Sequence, residues 1–177
     1  MSTLKELTAE KHTEAESQPF LKTIFDGNVN EDKYTSYLYQ LLYVYQVLEF
    51  YGDNHKLFEG IEDIKRSKQM EFDWISLKGD KSEPEHIFNS TQKYVNYIHS
   101  IKDDKRKLMA HIYVRHMGDL FGGQMLAKLL PGPNNMFKFN DIPKLVKGVR
   151  EKIDVSLAEE ANIAFDHNIN MIKDFND

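Results

Sequence analysis

Two places in this chain hold residue types and spacings that could do chemistry. The first is His12, with Lys5 seven residues before it and Glu16 four after it. On one continuous helix these side chains share a face, with Lys5 and His12 about 10 Å apart along the axis. A histidine can ligate a metal, and a lysine two turns away can grip an anionic substituent of the metal's cofactor. A polar surface helix with an incidental histidine has the same spacing. The second place is the run Arg115-His116-Met117-Gly118-Asp119-Leu120-Phe121-Gly122-Gly123-Gln124, set in apolar, helix-compatible sequence. Each interior glycine costs about 1 kcal/mol relative to alanine. Three cost roughly 3 kcal/mol, against the roughly 5–15 kcal/mol that holds a domain together. Something needs a helix face without side chains. Gly118 and Gly122 are four apart and share a face, Asp119 is beside them, and Arg115 lies four before Asp119, at the spacing of an intrahelical ion pair. A flat ligand against the backbone and close helix–helix packing both fit this spacing. A helix end does not, because the apolar pattern resumes at once. A phosphate cradle would need Gly-Lys-Ser/Thr after a strand, and neither is present.

The other titratable residues say less. Glu83-Pro84-Glu85-His86 holds one Glu-x-x-His match, whereas a di-iron bundle needs two such pairs and two more carboxylates. His55, His99, His111 and His167 are scattered and read as structural or exposed. The chain has no cysteine, which removes disulfides, zinc–thiolate sites, iron–sulfur ligation, a Cys nucleophile and covalent haem attachment. Any haem would be held through His or Tyr. A net charge of −5 and only four arginines argue against nucleic acid. No apolar run approaches the roughly 18 residues of a transmembrane helix, and Met1-Ser2-Thr3-Leu4-Lys5-Glu6 is no signal or transit segment. A cytoplasmic protein that contacts no membrane is expected.

The elements that must position these residues are all helical. At 177 residues, 41% apolar and 29% charged, the chain suits one domain over 1–177, with no linker or repeat. Thr3 and Glu6 form a capping-box pattern that opens a first helix ending before Pro19. A short helix follows and closes at Gly27. Asn30 caps a long helix from about Glu31 to Tyr51, ended by Gly52, with Tyr34, Leu38, Leu41, Leu42, Tyr45 and Leu48 on its core stripe. A helix is expected near Ile61 to Trp74, a loop from Leu77 to Pro84, and a helix from Pro84 to Ile101. The glycine helix runs from about Asp103 to Leu130. Pro131-Gly132-Pro133-Asn134-Asn135 breaks the chain, Pro143 opens another helix, and the last runs from about Ser156 to Phe175. The fold class is all-α, a single helical bundle.

The run from Tyr113 to Gln124 closely resembles the distal-helix signature of the haem oxygenase family. Leu4-Lys5-Glu6 through Lys11-His12-Thr13-Glu14-Ala15-Glu16 resembles its proximal-helix segment. Phe20-Leu21, Leu41 to Glu49, Tyr94-Val95, and Ala164-Phe165 with Asn168-Ile169 carry the likeness along nearly the whole chain. The resemblance implies haem b, both substrate and cofactor, between the N-terminal helix and the glycine helix. His12 matches the iron ligand and Glu16 its neighbour. Gly118, Gly122 and Gly123 match the distal backbone that haem and O2 approach. Asp119 matches the carboxylate that organises distal water, with Arg115 and Tyr45 as polar partners. Lys5 and Arg150 match propionate-holding positions, Tyr113 a residue at the haem edge, and Phe165 and Asn168 the helix closing the pocket. The implied reaction is ring opening of haem to biliverdin (the IX-alpha isomer), CO and ferrous iron.

Four positions depart from the family pattern. Phe121 replaces a small residue and is expected to narrow the distal pocket. His116 replaces an aromatic and adds a titratable group. Ala9 stands where a second propionate-binding lysine is common, and Lys147 is one residue from where another would fall. The chain carries no flavin or iron–sulfur motif, so electrons must come from a partner. The resemblance is to soluble, bacterial or cyanobacterial-type enzymes that use ferredoxin, with a bilin reductase as a downstream partner in bilin biosynthesis. Lys5, Lys11, Lys105, Arg106, Lys107, Lys144, Lys147, Arg150 and Lys152 would form a basic face for such a donor. The same lysines also fit ordinary solvated helix faces. The competing readings are a haem-storage protein of the same fold and a helical interaction module. A thiaminase-type hydrolase would want a cysteine that is absent.

Overall fold

The computed structural model describes residues 1–81 and 85–177. The capping box at Thr3 forms: the Glu6 N–H donates to Thr3 Oγ1 at 3.2 Å, and the Thr3 N–H donates to Glu6 Oε2 at 3.0 Å. It starts α1 (Leu4–Leu7), which is not the long first helix expected from the pattern. The Thr8 hydroxyl turns back on the carbonyls of Leu4 (3.0 Å) and Lys5 (3.3 Å), and its backbone leaves helical geometry at φ −112°. A local side-chain bond of this kind competes with helix propagation. The chain restarts as α2 (Ala9–Glu16). Lys5 is therefore on one helix and His12 and Glu16 on the next, so the straight face expected for the three is broken.

The next turns follow their sequence signals more closely. Gly27 closes α3 (Pro19–Phe25) at φ +72°, in the left-handed region that favours glycine. Asn30 accepts the Lys33 N–H at 2.9 Å and starts α4 (Glu31–Asn54). This helix runs through Gly52 instead of ending there. A Cβ at Gly52 would overlap the Phe58 ring, so the glycine admits the following loop against the helix.

The helix expected from Ile61 to Trp74 divides into a 3-10 turn (Glu62–Ile64) and α5 (Ser67–Lys78). Between them lies Arg66, fully buried, whose guanidinium donates to the carbonyls of Lys65, Asp63, Met136 and Lys138. Then come α6 (Asn89–Ser100) and α7 (Lys105–Leu126). The start of a helix at Pro84, and Glu83 of the Glu-x-x-His match, lie outside the described residues. The carboxylate of Asp104 takes the N–H groups of Arg106 and Lys107, each at 3.1 Å, at the start of α7. The helix stays unbroken through all three glycines. A 3-10 turn (Asn135–Phe137) follows the Pro131–Asn135 break, then α8 (Ile142–Arg150), a third 3-10 turn (Val155–Leu157) and α9 (Ala158–Lys173). Among the described residues there are nine α-helices and no strand.

Apolar stripes decide how these pack. α4 and α7 cross the middle of the bundle and bury Leu38, Leu48, Leu108 and Ile112 completely. α4 also packs on α5 and α6, while α9 packs on α2, α6 and α7. α2 and α7 thus rest on the same element, and most residues singled out in the sequence sit on these two helices and on α9, while Lys5, Tyr45 and Arg150 are on α1, α4 and α8. Among the described residues, no helix is long and apolar enough to cross a membrane.

Candidate functional site

The three glycines of α7 do different things. A Cβ at Gly118 would meet nothing within 4 Å, and one at Gly122 would meet only its own helix neighbour Leu126 at 3.9 Å. One at Gly123 would fall on the Phe137 ring, 3.2 Å from Cγ and 3.3 Å from Cε1. Gly123 is a packing glycine. Gly118 and Gly122 present bare backbone to open space, and nothing in the fold accounts for their lack of side chains. Phe121 and Met125 flank that bare strip and are exposed; 62% of Phe121 is open. Phe121 does not fill the space over the glycines, as the narrowing expected from the sequence would require.

Asp119 sits beside the strip with its carboxyl turned into the bundle. Tyr45 of α4 donates its hydroxyl to Asp119 Oδ2 at 2.7 Å and reaches the Arg115 carbonyl at 3.1 Å. Burial, then the neighbouring Asp119 charge, holds the Tyr45 proton far above its usual range, so the hydroxyl stays a donor. Burial also pushes the Asp119 carboxyl up, against the Tyr45 bond and the charges of His116, Arg115 and Arg66. The direct Arg115–Asp119 pair expected from their spacing does not form. The Arg115 guanidinium instead lies 5.5 Å from the centre of the Tyr45 ring. Arg115 Nε and, on α9, Asn168 Oδ1 are buried with no partner among the described residues. A donor and an acceptor left open in this way mark a place where water or a ligand belongs.

α2 packs on α9, as α7 does. His12 is 56% exposed, and its Nε2 lies 3.4 Å from Glu16 Oε1, too long for a tight hydrogen bond. Its ring meets the edge of Phe165 of α9 at 5.9 Å. The imidazole is thus packed against one aromatic ring and is otherwise open to take another ligand. Lys5 and Arg150 are exposed at the ends of α1 and α8. Tyr113 of α7 is half-buried; burial raises its hydroxyl pKa, while Thr8 and Arg150 act to lower it.

The profile of the haem oxygenase family matches residues 1–144. The chain belongs to the haem oxygenase family. A haem oxygenase of Guillardia theta is 30% identical over 97% of this chain and 84% of its own length. One of Porphyra purpurea is 29% identical over 98% and 85%. The solved haem oxygenase of Leptospira interrogans superposes with a TM-score of 0.84 at 25% identity, covering 97% of each chain. A Synechocystis haem oxygenase-1 in complex with haem shares the fold, with a TM-score of 0.82 over 97% of this chain and 89% of that one. The chain is thus an enzyme of the haem-degrading fold.

Sequence reasoning missed several polar residues of this haem oxygenase bundle. His111, expected to be structural or exposed, is structural: it is fully buried, with Nε2 2.9 Å from Glu160 Oε1 and Nδ1 2.8 Å from the Tyr94 hydroxyl. Tyr97 donates to the same Glu160 oxygen at 2.5 Å. This network ties α6, α7 and α9 together one turn before Arg115. Glu49 was seen only as the end of a matching segment, and it pairs with buried His116. The available signal was helical spacing: Tyr45 and Glu49 are four apart, as are His111 and Arg115, and His116 is three before Asp119.

Proposed function

We propose that this chain opens haem oxidatively to biliverdin, CO and ferrous iron, holding the ring between α2 and α7. The observation that carries the reading is the pair Gly118 and Gly122, whose absent side chains no part of the fold explains. The donor set suits a tetrapyrrole iron: an exposed imidazole at His12 on α2, a bare backbone strip on α7, and the orphaned Arg115 Nε on α7 and Asn168 Oδ1 on α9. Haem, when bound, supplies the iron at which O2 is reduced and the ring that is cleaved.

His12 would ligate the haem iron, with Phe165 packed against its ring and Glu16 within reach of its nitrogen. An imidazole donates less electron density to a haem iron than the thiolate that drives O–O cleavage in P450 enzymes. Gly118 and Gly122 let the ring approach the backbone and leave no acid–base side chain above it. Asp119, oriented by Tyr45, holds water on that side, and Arg115 Nε and Asn168 Oδ1 offer that water a donor and an acceptor. Such water would carry protons to the glycine side of the pocket. Lys5, Arg150 and Tyr113 hold the propionate edge and set which meso carbon reacts, supporting the IX-alpha product.

Ferredoxin is the proposed electron donor, and a bilin reductase would take the product. Lys11 is paired with Asp166 and Arg106 with Asp154, both at 2.7 Å, so these two contribute little to a docking field. Lys5, Lys144, Lys147 and Arg150 remain exposed and would carry it. The test is to load the chain with haem, add reduced ferredoxin and O2, and follow the Soret band and the extracted bilin. Loss of the Soret band with biliverdin IX-alpha as product is expected. A stable Soret band over several minutes would instead indicate haem storage, and no haem binding at all would leave an interaction module.

A further inference from the structure

His116 is fully buried on α7, three residues before Asp119. Its Nε2 lies 3.0 Å from Glu49 Oε1 and its Nδ1 3.3 Å from the Ile112 carbonyl. Glu49 also accepts the Arg66 N–H, and both its oxygens lie 3.2 Å from the Ser67 N–H. A carboxyl that receives backbone N–H groups at the first turn of a helix is held in its charged form. A carboxylate has no proton to offer, so His116 Nε2 must donate. The Ile112 carbonyl can only accept, so Nδ1 must donate as well. Both nitrogens therefore face acceptors, the arrangement that an imidazolium satisfies.

The position of that cation matters for Asp119. The His116 ring is 4.8 Å from the Tyr45 ring, and the Arg115 guanidinium is 5.5 Å from the same ring. The Tyr45 ring thus neighbours both residues while its hydroxyl donates to Asp119. The charged and titratable groups around His116 are Tyr45 and Glu49 from α4, Arg66 at the start of α5, and Arg115 and Asp119 on α7 itself. The Phe58 ring, 5.7 Å away, covers the remaining side without charge.

We propose that His116 is a positioning residue for the reaction: a buried imidazolium, clamped by Glu49, that supports the Tyr45 ring and biases Asp119 toward its charged form. It deepens the proposed function, resting on it only for what Asp119 does with substrate. Burial alone would drive Asp119 neutral, and a neutral carboxyl would be a poorer acceptor for the water it holds. The cation opposes that drift.

The electrostatic link can be read without haem. The carboxyl carbon of Asp119 is titrated by 13C NMR in the full chain, its signal identified by its loss in Asp119→Asn. Replacing His116 by Phe or by Gln removes the cation and should raise the Asp119 midpoint by about one pH unit. Glu49→Gln combined with His116→Gln removes both charges of the pair and should bring the midpoint back toward that of the parent chain. If His116→Phe fails to fold, His116→Gln, which can still donate to Glu49, carries the test. An Asp119 midpoint unmoved in the folded variants, with only their melting temperatures lowered, would overturn the proposal and leave His116 a structural residue. A parent chain that binds no haem would defeat the proposed function while leaving this midpoint shift intact.

Discussion

Gly118 and Gly123 are five residues apart on one helix, yet replacing each by alanine should move stability in opposite directions. At Gly118 a Cβ meets nothing within 4 Å, so Gly118→Ala keeps only the gain in helix propensity, about 1 kcal/mol. For a chain of this length that gain raises the apoprotein's melting temperature by roughly 2–4 °C. At Gly123 the new methyl falls on Phe137, and the ring cannot easily retreat. Its turn is held by Asp73, which takes the N–H groups of Asn135 and Met136 at 2.8 and 2.9 Å, and by Gln124, which donates to the Phe137 carbonyl at 2.8 Å. Overpacking costs about 1–3 kcal/mol, so after the propensity gain Gly123→Ala loses up to about 2 kcal/mol and melts up to roughly 4–8 °C lower. Haem affinity should rank the other way. A methyl on the bare Gly118 face stands where the ring must lie, and a tenfold weaker affinity corresponds to about 1.4 kcal/mol. Gly118→Ala should lose at least that factor, while folded Gly123→Ala should bind haem nearly as the parent does. Differential scanning calorimetry of the apoprotein and a haem titration followed at the Soret band give both readings. A Gly118→Ala protein that is no more stable, or that binds haem as tightly as the parent, would refute the assignment of its face.

Three further outcomes are expected. His12→Ala should abolish the axial-ligand signature in the visible spectrum of the haem complex, and an unchanged spectrum would remove His12 from that role. Tyr45→Phe takes away the hydrogen bond to Asp119, so the carboxyl should bind its proton more tightly and the protein lose about 1–3 kcal/mol, measured by chemical denaturation and carboxyl NMR. Stability should fall as pH is lowered below about 6.5. Burial holds His111 below its usual 6.5, and hydrogen bonds from their histidine partners, outweighing burial, hold Glu49 and Glu160 below 4.5. The unfolded chain therefore binds more protons at all three sites, so the His111 share of stability is lost as pH drops below about 6.5 and the glutamate shares only below about 4.5. Melting temperatures between pH 8 and 4 check this, and a profile flat down to pH 5 would count against a buried, neutral-favouring His111.

Much of the bundle was legible in the chain because its signals are local. Thr3 with Glu6, Asn30, Gly27 and Pro143 act within a turn of themselves, and each marks an element boundary the structure contains. The expectations that failed depended on partners distant in sequence. Gly52 reads as a helix stop until Phe58 is folded onto it. Arg66 reads as one more surface charge until four backbone carbonyls, two of them some seventy residues away, enclose it. Thr8 is an exception, since its break is local, but a hydroxyl in a helical pattern carries no mark of which carbonyl it will choose.

The same division runs through the candidate site. The sequence by itself determined that α7 carries an expensive run of glycines beside an aspartate, that a histidine precedes it on another helix, and that the pattern is the family's. Only the tertiary structure decided which glycines are bare and which one is filled by Phe137. It also decided that Asp119 is held by Tyr45 and not by Arg115, and that His116 faces Glu49. The physical reason is that a glycine's cost is a property of the backbone alone, readable from spacing. What occupies the space it leaves is settled by whichever side chains other helices bring there.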